Sequence, residues 1–287
     1  MAWHEPFLLG PLGYMREIPS PSHSSGVDSN IIRSGGEFET ASGNMSIDTF
    51  GHKKEWKFTW PWIDSRQADE LMAFFRTARR RGLRMLDPFV LNLLSADVSM
   101  GGGESRTARL FQPAVGTVAC FDVSPTLPSY LVPFIDTMIQ WVVPTSTTGV
   151  VLADSGILQR TPLRDARPLK FNLQVTGQGT VQALVRPFDL AGSALSDVLG
   201  TAVVLDSTWK TVSVSYSPAI THISTAVGLS IATAVGIRTL GFTALKFGEQ
   251  SDQWQIGEMT GPVLLRSIMR KLRPHHMFEV QAVIREK

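Results

Sequence analysis

Apolar and polar residues alternate along two neighbouring runs near the start of the chain, "NMSIDTF" (44–50) and "KKEWKFTW" (53–60). Successive side chains of a β-strand point to opposite faces, so this alternation predicts strands with one buried face. Gly51 and His52 separate the two runs and predict a hairpin turn between them. In the second run the buried face is predicted to be aromatic. Its members are Trp56, Phe58 and Trp60.

A helical pattern follows the second run directly. Pro61 has no N–H to donate and is expected to end the strand. Asp64 is a favourable helix N-cap, and Gln67 stands in the capping-box position three residues later. Apolar residues then recur at helical spacing and predict one buried stripe, made of Ala68, Leu71, Met72, Phe75 and Ala78. We expect Leu71 and Phe75 to cover the aromatic face of the hairpin as core residues.

From about residue 104 the helical periodicity nearly disappears, and short β-like runs recur between Gly, Pro, Ser and Asp residues. Many short strands at this spacing are typical of a β-sandwich. The nine runs are "GTVACFDV", "DTMIQWVV", "TGVVLAD", "PLKFNLQVTG", "TVQALVRPFD", "TAVVLD", "WKTVSVSYS", "VGLSIATA" and "IRTLGFTALKFG". Residues 104–257 therefore have the length and pattern of one jelly-roll domain.

The pattern changes again after residue 257. "GPVLLRSIMRKLRPHH" has apolar residues at helical spacing and predicts a helix, whereas "MFEVQAVIREK" alternates as a strand. A short strand is also expected in "RMLDPFVLN" (84–92). The closing strand has no obvious place in the sandwich, so we expect it to return to the N-terminal domain. The predicted fold class is mainly β: an α+β domain over 1–103 and 258–287, a β-barrel or sandwich with one helix, into which the jelly roll of 104–257 is inserted.

Composition and charge narrow the classes of partner. The 287 residues carry 27 Lys and Arg against 25 Asp and Glu, a net charge of +2, which argues against sequence-specific nucleic-acid binding. The single cysteine, Cys120, gives no disulfide framework and suits assembly in a reducing cytoplasm. The most apolar later window, "AVGLSIATAVGI" (226–237), is too short to span a bilayer, so no membrane insertion is expected.

The sequence contains no recognisable catalytic motif. It has no Gly-x-Ser-x-Gly elbow and no phosphate-binding loop, and "GGGES" (101–105) is interpreted as a linker. The adjacent pair His275-His276 lacks the spacing of zinc ligands on a helix. No catalytic residue, metal site or cofactor is therefore predicted. A glycoside hydrolase stays open as a less favoured alternative, because glycosidase carboxylates can lie far apart in sequence.

Tryptophans supply the candidate binding residues. Aromatic rings bind sugars in many β-sandwich modules, because a flat apolar ring stacks on the apolar face of a pyranose. Trp254 lies in the polar stretch "EQSDQWQIG" and is expected to be exposed, so it is the first candidate glycan contact and Trp141 the second. Trp209 is expected to be structural core. Trp62, which follows Pro61, and three arginines at the helix end are candidate inter-subunit contacts. These arginines are Arg79, Arg80 and Arg81.

The order of these features resembles the distal tail proteins of long, flexible-tailed bacteriophages. The resemblance rests on a hairpin of the form "G…F…G…M.ID..GHKKEW.F.W", a helix ending in "FF" and arginines, then "LDPF", and on the closing segments "GPVLLRSI" and "FEVQAVIRE". It covers residues 30–95 best and 258–287 more weakly. Residues 104–257 resemble a carbohydrate-binding-module jelly roll, through "RPLKFNLQVTGQGTVQALVRPFDLAGSAL", "STWKTVSVSYS" and "VGLSIAT".

The resemblance implies a structural virion protein without catalytic residues. It implies a homo-oligomeric ring of six copies that joins the tail tube protein to the tail-associated hub protein at the tail tip after assembly in the host cytoplasm. The inserted jelly roll is then expected to dock receptor-binding proteins or to bind host cell-wall glycan. A dedicated cell-wall polysaccharide-binding protein is the main alternative.

Overall fold

The computed structural model describes residues 7–18, 27–39, 45–78, 83–88, 90–103, 106–123, 127–144, 148–153, 156, 160–163, 167–232, 238–249, 253–257 and 263–286. The chain is mostly β-structure, in several antiparallel sheets with few helical residues, as the sequence pattern predicts. It divides into two compact units, one formed by Met1–Pro88 with Thr260–Lys287 and the other by Phe89–Met259.

In the described residues, the elements up to residue 153 are β1 (Leu8–Gly10), β2 (Arg16–Glu17), β3 (Val27–Glu39), β4 (Met45–Ile63), α1 (Ser65–Ala78), β5 (Arg84–Leu86), α2 (Ala96–Ser99), β6 (Phe111–Pro113), β7 (Thr117–Asp122), β8 (Thr137–Val143) and β9 (Val150–Ala153). The later strands are β10 (Thr161–Pro162), β11 (Leu169–Thr176), β12 (Gln178–Phe188), β13 (Val198–Leu199), β14 (Val203–Asp206), β15 (Lys210–Tyr216), β16 (Ser224–Ile231), β17 (Arg238–Gly248), β18 (Val263–Leu272) and β19 (Phe278–Glu286).

The first unit is built on one long antiparallel sheet with the strand order β18-β19-β4-β3, beside a small sheet with the order β2-β1-β5. β4 is a single 19-residue strand, so the hairpin turn predicted at Gly51 and His52 is wrong. β4 pairs antiparallel with β3, with Gly51 opposite Ser34 and Thr49 opposite Gly35, so the ladder continues through this position with a register shift at Phe50. The strand predicted over 84–92 is correct only for Arg84–Leu86.

β4 also continues through Pro61 to Ile63, although Pro61 was expected to end it. Its pairing with β19 shifts register between Trp60, which faces Val280, and Ile63, which faces Phe278. A bulge of this kind leaves residues outside the regular ladder, where a missing N–H costs no hydrogen bond. The proline is therefore accommodated within the strand.

Helix α1 begins as predicted. The Gln67 N–H donates to Oδ1 of Asp64 at 2.8 Å, and the Ala68 N–H donates to the Asp64 carbonyl at 3.0 Å, so Asp64 is the N-cap. α1 helps to cover the sheet, and the rings of Phe58 and Trp60 stack with centroids 5.7 Å apart. All five residues expected in this core are buried there, namely Trp56, Phe58, Trp60, Leu71 and Phe75.

The helix predicted in "GPVLLRSIMRKLRPHH" is wrong, because this segment forms strand β18. β18 pairs along its length with β19, and β19 pairs on its other side with β4. Val263 and Leu265 are buried on alternate positions, as in a strand. The helical spacing of apolar residues is a weak local preference, and the hydrogen bonds that β18 makes with β19 override it.

The second unit is a β-sandwich. One sheet has the order β13-β12-β16-β9-β6, with β10 added on β16 and β14 on β12, and the other has the order β15-β11-β17-β8-β7. The two sheets share one hydrophobic core, to which Phe171 and Phe242 of one sheet and Val185 and Leu229 of the other contribute. Each of the nine predicted β-runs coincides with a strand. The jelly-roll expectation for this region is confirmed at the level of the fold.

The second unit begins at Phe89, whereas the sequence pattern assigned residues 89–103 to the first domain. The Leu93 N–H donates to the Phe247 carbonyl at 2.7 Å, and Leu94 and Val98 are buried in the sandwich core. These residues belong to the sandwich because they complete its core. The boundary between the two units therefore lies earlier in the chain than residue 104, where the sequence pattern placed it.

The glycines of "GGGES" form a buried turn and not a linker. Gly101 and Gly102 have φ values of 67° and 109°, in the region that favours glycine. A Cβ at Gly101 would lie 2.7 Å from Oγ1 of Thr243, and one at Gly102 would lie 2.6 Å from Sγ of Cys120. Glycine is required here by backbone conformation and by close packing, which composition alone does not distinguish from flexibility.

Candidate functional site

The candidate site lies on the outer face of the five-stranded sheet of the sandwich. Side chains alternate between the two faces of each strand, so Phe171 and Leu173 on β11 enter the core and Asn172 and Gln174 point away from it. Gln174 Nε2 donates to Oγ1 of Thr211 on the neighbouring strand β15 at 2.8 Å. Asn172 and Gln174 are each only 7% exposed, so Thr211 is the exposed residue of this hydrogen-bonded pair.

Residues 127–136, in the connection between β7 and β8, form a compact loop. The Ile135 N–H donates to the Leu131 carbonyl at 3.1 Å, and the Leu131 N–H donates to the Pro128 carbonyl at 2.9 Å, so the loop is wound into helical turns. Leu127, Leu131 and Ile135 recur at every fourth residue and are buried together with Ala244 of β17, in a cluster separate from the main sandwich core. These three side chains anchor the loop to the sheet.

Polar contacts close the base of the same loop. The Val123 N–H donates to the Asp136 carbonyl at 2.9 Å. Arg106 lies 3.0 Å from the carboxylate of Asp122 and 3.8 Å from that of Asp136, one at each end of the loop. All three side chains are exposed, so these ion pairs contribute at most about 1 kcal/mol each. The shape of the loop therefore depends mainly on its apolar anchors.

The loop carries two exposed aromatic residues, Tyr130 and Phe134, and Phe134 lies beside the half-buried Trp254; we call these three residues the aromatic surface. Tyr130 and Phe134 are 61% and 63% exposed. The ring of Phe134 lies 6.3 Å from that of Trp254, with an interplanar angle of 39°. Trp254 was expected to be exposed, and it is half-buried against the loop anchors.

Trp209 was expected in the structural core, but it is half-buried and, like Trp254, packs against the loop cluster. The indole N–H groups of both tryptophans are buried, and neither has a hydrogen-bond partner among the described residues. An unpartnered buried donor costs about 1–3 kcal/mol. This loop cluster therefore contains buried hydrogen-bond donors without described partners, which lowers its contribution to stability.

Trp141, the second candidate glycan contact, lies in the core of the sandwich. It is fully buried, and its Nε1 donates to the Val115 carbonyl at 2.8 Å. In "MIQWVV" it occupies a core-facing position of β8, between Ile139 and Val143. The assignment of Trp141 as a surface contact is therefore wrong, because alternation places its ring between the two sheets.

In the first unit, Trp62 is 58% exposed and lies 5.9 Å from the guanidinium of Arg273. Among the candidate inter-subunit residues, Trp62 is the one that the structure describes. Arg79, Arg80 and Arg81, the other candidates, lie outside the described residues. The nearby carboxylate of Glu279 accepts hydrogen bonds from Gln281 and Arg273, and these bonds lower the pKa of Glu279.

Sequence reasoning did not identify Tyr130 and Phe134 as candidate binding residues. They occur in "LPSYLVPFIDTM", an apolar stretch without strand alternation. The four-residue spacing of Leu127, Leu131 and Ile135 is the signal that would have separated buried anchors from exposed rings. Exposure of the intervening rings follows only once the anchors are known to be buried.

The described residues contain no group of three or more His, Cys, Asp or Glu side chains able to hold a metal ion. None of the described helices has the length and apolar character needed to cross a bilayer. Burial raises the pKa of the Cys120 thiol, and the positive charge of Arg106 lowers it by a smaller amount. The thiol of Cys120 is therefore neutral at physiological pH.

Comparisons with known proteins found no matching family model and no matching curated protein. Among solved structures, the chain is similar to the enzymatically active domain of bacteriophage CBA120 tailspike protein 4, with 16% identity over 55% of this chain and a TM-score of 0.43. It spans about a fifth of that protein, 21% of its length.

Two small carbohydrate-binding modules are also similar. The CBM22-1 xylan-binding domain of Paenibacillus barcinonensis Xyn10C matches with 12% identity, over 57% of this chain and 97% of its own, at a TM-score of 0.39. TmCBM61 in complex with β-1,4-galactotriose matches with 12% identity, over 54% of this chain and 97% of its own, at a TM-score of 0.37. At such identities the likeness concerns the β-sandwich fold alone.

Proposed function

We propose that this chain is a non-catalytic structural protein of a bacteriophage tail tip, whose second unit binds a host-surface polysaccharide through the aromatic surface. The observation that carries the proposal is the exposure of Tyr130 and Phe134 beside Trp254 on an anchored loop. An exposed cluster of large apolar rings is uncommon on a monomeric surface and marks an interaction site.

Stacking is the physical basis of the proposed binding. A pyranose ring has an apolar face of C–H groups, and an aromatic ring covers that face while its own apolar area leaves water. Tyr130 adds a hydroxyl that donates to and accepts from sugar hydroxyl groups. Because Leu131 and Ile135 fix the loop, the rings lose little conformational entropy on binding.

Support for a ring-forming role of the first unit comes from the edges of its long sheet. β3 and β18 are the outer strands of the order β18-β19-β4-β3. Edge strands offer unpaired N–H and C=O groups that can pair with another chain. Pairing of β3 in one copy with β18 in the next would continue the sheet from copy to copy, and we propose that it closes a ring in this way.

In this proposal the ring has six copies, is located in the virion, and contacts the tail tube protein on one face and the tail-associated hub protein on the other. Trp62 is proposed to contact a neighbouring copy, since it is exposed and aromatic residues are enriched at such interfaces. Receptor-binding proteins are the alternative occupants of the aromatic surface.

The glycan proposal is tested with purified protein on an array of bacterial cell-wall polysaccharides. We expect binding that Phe134→Ala and Trp254→Ala each weaken about tenfold or more, which corresponds to about 1.4 kcal/mol. Trp62→Ala is the matched control, because it removes a ring of similar exposure from the other unit. Equal loss in the control, or no effect of either surface variant, would refute the assignment of the site.

The ring proposal is tested by light scattering and electron microscopy of the full chain, alone and with the tail tube protein. We expect assemblies of about six copies, and we expect Met269→Lys with Leu272→Lys, which add charge at exposed positions of β18, to reduce them. Glycan binding by a protein that stays monomeric in both conditions would instead favour a dedicated polysaccharide-binding protein.

A further inference from the structure

Trp254 is held by two buried polar side chains that bind the backbone on either side of it. Lys246 Nζ donates to the carbonyl of Gln253 at 2.7 Å. Asn92 Nδ2 donates to the carbonyl of Gln255 at 2.7 Å. The residues immediately before and after Trp254 are therefore each bonded to a buried side chain.

Burial of the Lys246 and Asn92 side chains costs desolvation free energy, so another interaction must offset it. Each is 1% exposed, although Lys and Asn rarely occupy fully buried positions. Taking an ammonium group out of water is expensive unless it is well bonded, and an apolar residue of similar size would fill the same space without that cost. What the polar groups add is a fixed position for two backbone carbonyls.

Asn92 has its whole hydrogen-bonding capacity engaged. Its second Nδ2 bond goes to the Leu245 carbonyl at 3.1 Å, and its Oδ1 accepts from the N–H groups of Phe247 at 3.1 Å and Leu94 at 3.3 Å. Asn92 thus joins β17 to the segment that carries Trp254. Lys246 itself belongs to β17, so the carbonyls on both sides of Trp254 are tied to the same strand.

A further contact fixes the same segment two residues later. The Gly257 N–H donates to Oγ of the buried Ser99 at 2.7 Å. Residues 253–257 have no regular secondary structure. Their backbone is nevertheless hydrogen-bonded to buried side chains at residues 253, 255 and 257. This backbone is held in place, and the ring of Trp254 is directed toward Phe134.

We propose that Asn92 and Lys246 are positioning residues for glycan binding, which hold the Trp254 indole in the geometry that stacks on a sugar. This inference rests on the proposed function, because it assigns their role through Trp254. Neither side chain is exposed, so neither touches the ligand. Release of either carbonyl is expected to let the segment move and to separate the ring of Trp254 from that of Phe134.

The test uses Lys246→Met, which keeps the apolar stem and removes the donor to Gln253. Lys170→Met is the matched control, because it removes an ammonium group from the adjacent strand β11. Protein labelled with 5-fluorotryptophan reports the Trp254 ring directly by fluorine NMR, with the resonance assigned by its loss in Trp254→Phe. Asn92→Ser, which shortens the side chain and withdraws its donor from Gln255, is the second variant.

We expect Lys246→Met to shift or broaden the Trp254 resonance and to lower polysaccharide affinity about tenfold. The control variant should leave the Trp254 resonance unchanged, and Lys246→Met should leave unchanged the tryptophan resonances other than those of Trp254 and its cluster neighbour Trp209. An unchanged Trp254 resonance in both variants would overturn the inference without affecting the proposed function. A changed resonance with unchanged affinity would overturn it as well. Absence of glycan binding by the unaltered protein would overturn the proposed function and, with it, the positioning role.

Discussion

Replacement of Trp141 by phenylalanine tests whether this residue is structural. Its indole N–H is bonded to the Val115 carbonyl, and the ring is fully buried between the two sheets. The lost hydrogen bond is worth about 1 kcal/mol. The smaller ring leaves a cavity of roughly 40 Å³, which costs about 1 kcal/mol at about 24 cal/mol per Å³.

The expected destabilisation is therefore about 2 kcal/mol, or about 4–8 °C in Tm for a domain of this size. Urea unfolding followed by circular dichroism and a thermal scan measure it, and glycan binding is compared below the unfolding range. We expect Trp141→Phe to leave affinity unchanged, because its ring does not reach the surface.

The same substitution at Trp209 is the internal control. Its indole N–H is buried without a described partner, so phenylalanine removes an unsatisfied donor, and the ring is half-exposed, so the cavity is partly filled by water. The expected cost of Trp209→Phe is below about 1 kcal/mol. An equal or larger loss at Trp209 than at Trp141 would refute the reasoning from hydrogen-bond partners.

Three further outcomes are expected. Gly101→Ala should destabilise the sandwich by about 1–3 kcal/mol in urea unfolding, because its φ of 67° and the closeness of Thr243 disfavour a Cβ; an effect below about 0.5 kcal/mol would contradict this. Asp64→Ala should cost the first unit about 1 kcal/mol through loss of the helix cap, and Asp64→Ser should restore most of it. Hydrogen bonds from Lys210 and Thr208 lower the pKa of Asp206 to about 2, so its stabilising effect is complete above its ordinary value and is lost as pH falls through about 2. A carboxyl NMR titration should give that midpoint, and Lys210→Met should raise it.

Alternation of apolar and polar residues predicted the strands of this protein well, because a strand with one buried face places apolar residues at every second position. The run around Trp56, Phe58 and Trp60 is an example, since all three are buried on one face of β4. Asp64 likewise identified the start of α1, because an N-cap bonds only to its own helix. In both cases the deciding interactions involve residues near in sequence or a repeated pattern.

Predictions failed where partners distant in sequence decide the structure. β18 has helical spacing but pairs with β19, and Gly101 resembles a linker residue but packs against Thr243. The turn expected at Gly51 does not form, because β4 pairs with β3 along most of its length. None of these partners can be identified from the local sequence.

The same distinction applies to the aromatic surface and explains why Trp254 alone was found among its members. The polar neighbours of Trp254 singled it out, although its ring is half-buried and not exposed as they suggested. The exposure of Phe134 depends on the burial of Leu131 and Ile135 against Ala244, a contact between residues more than a hundred positions apart in the chain. The side chains that hold Trp254 are equally distant, since Asn92 lies at the start of the sandwich unit. An aromatic surface assembled from such contacts is specified by the fold, and substitution of its buried supports should alter its geometry as surely as substitution of its rings.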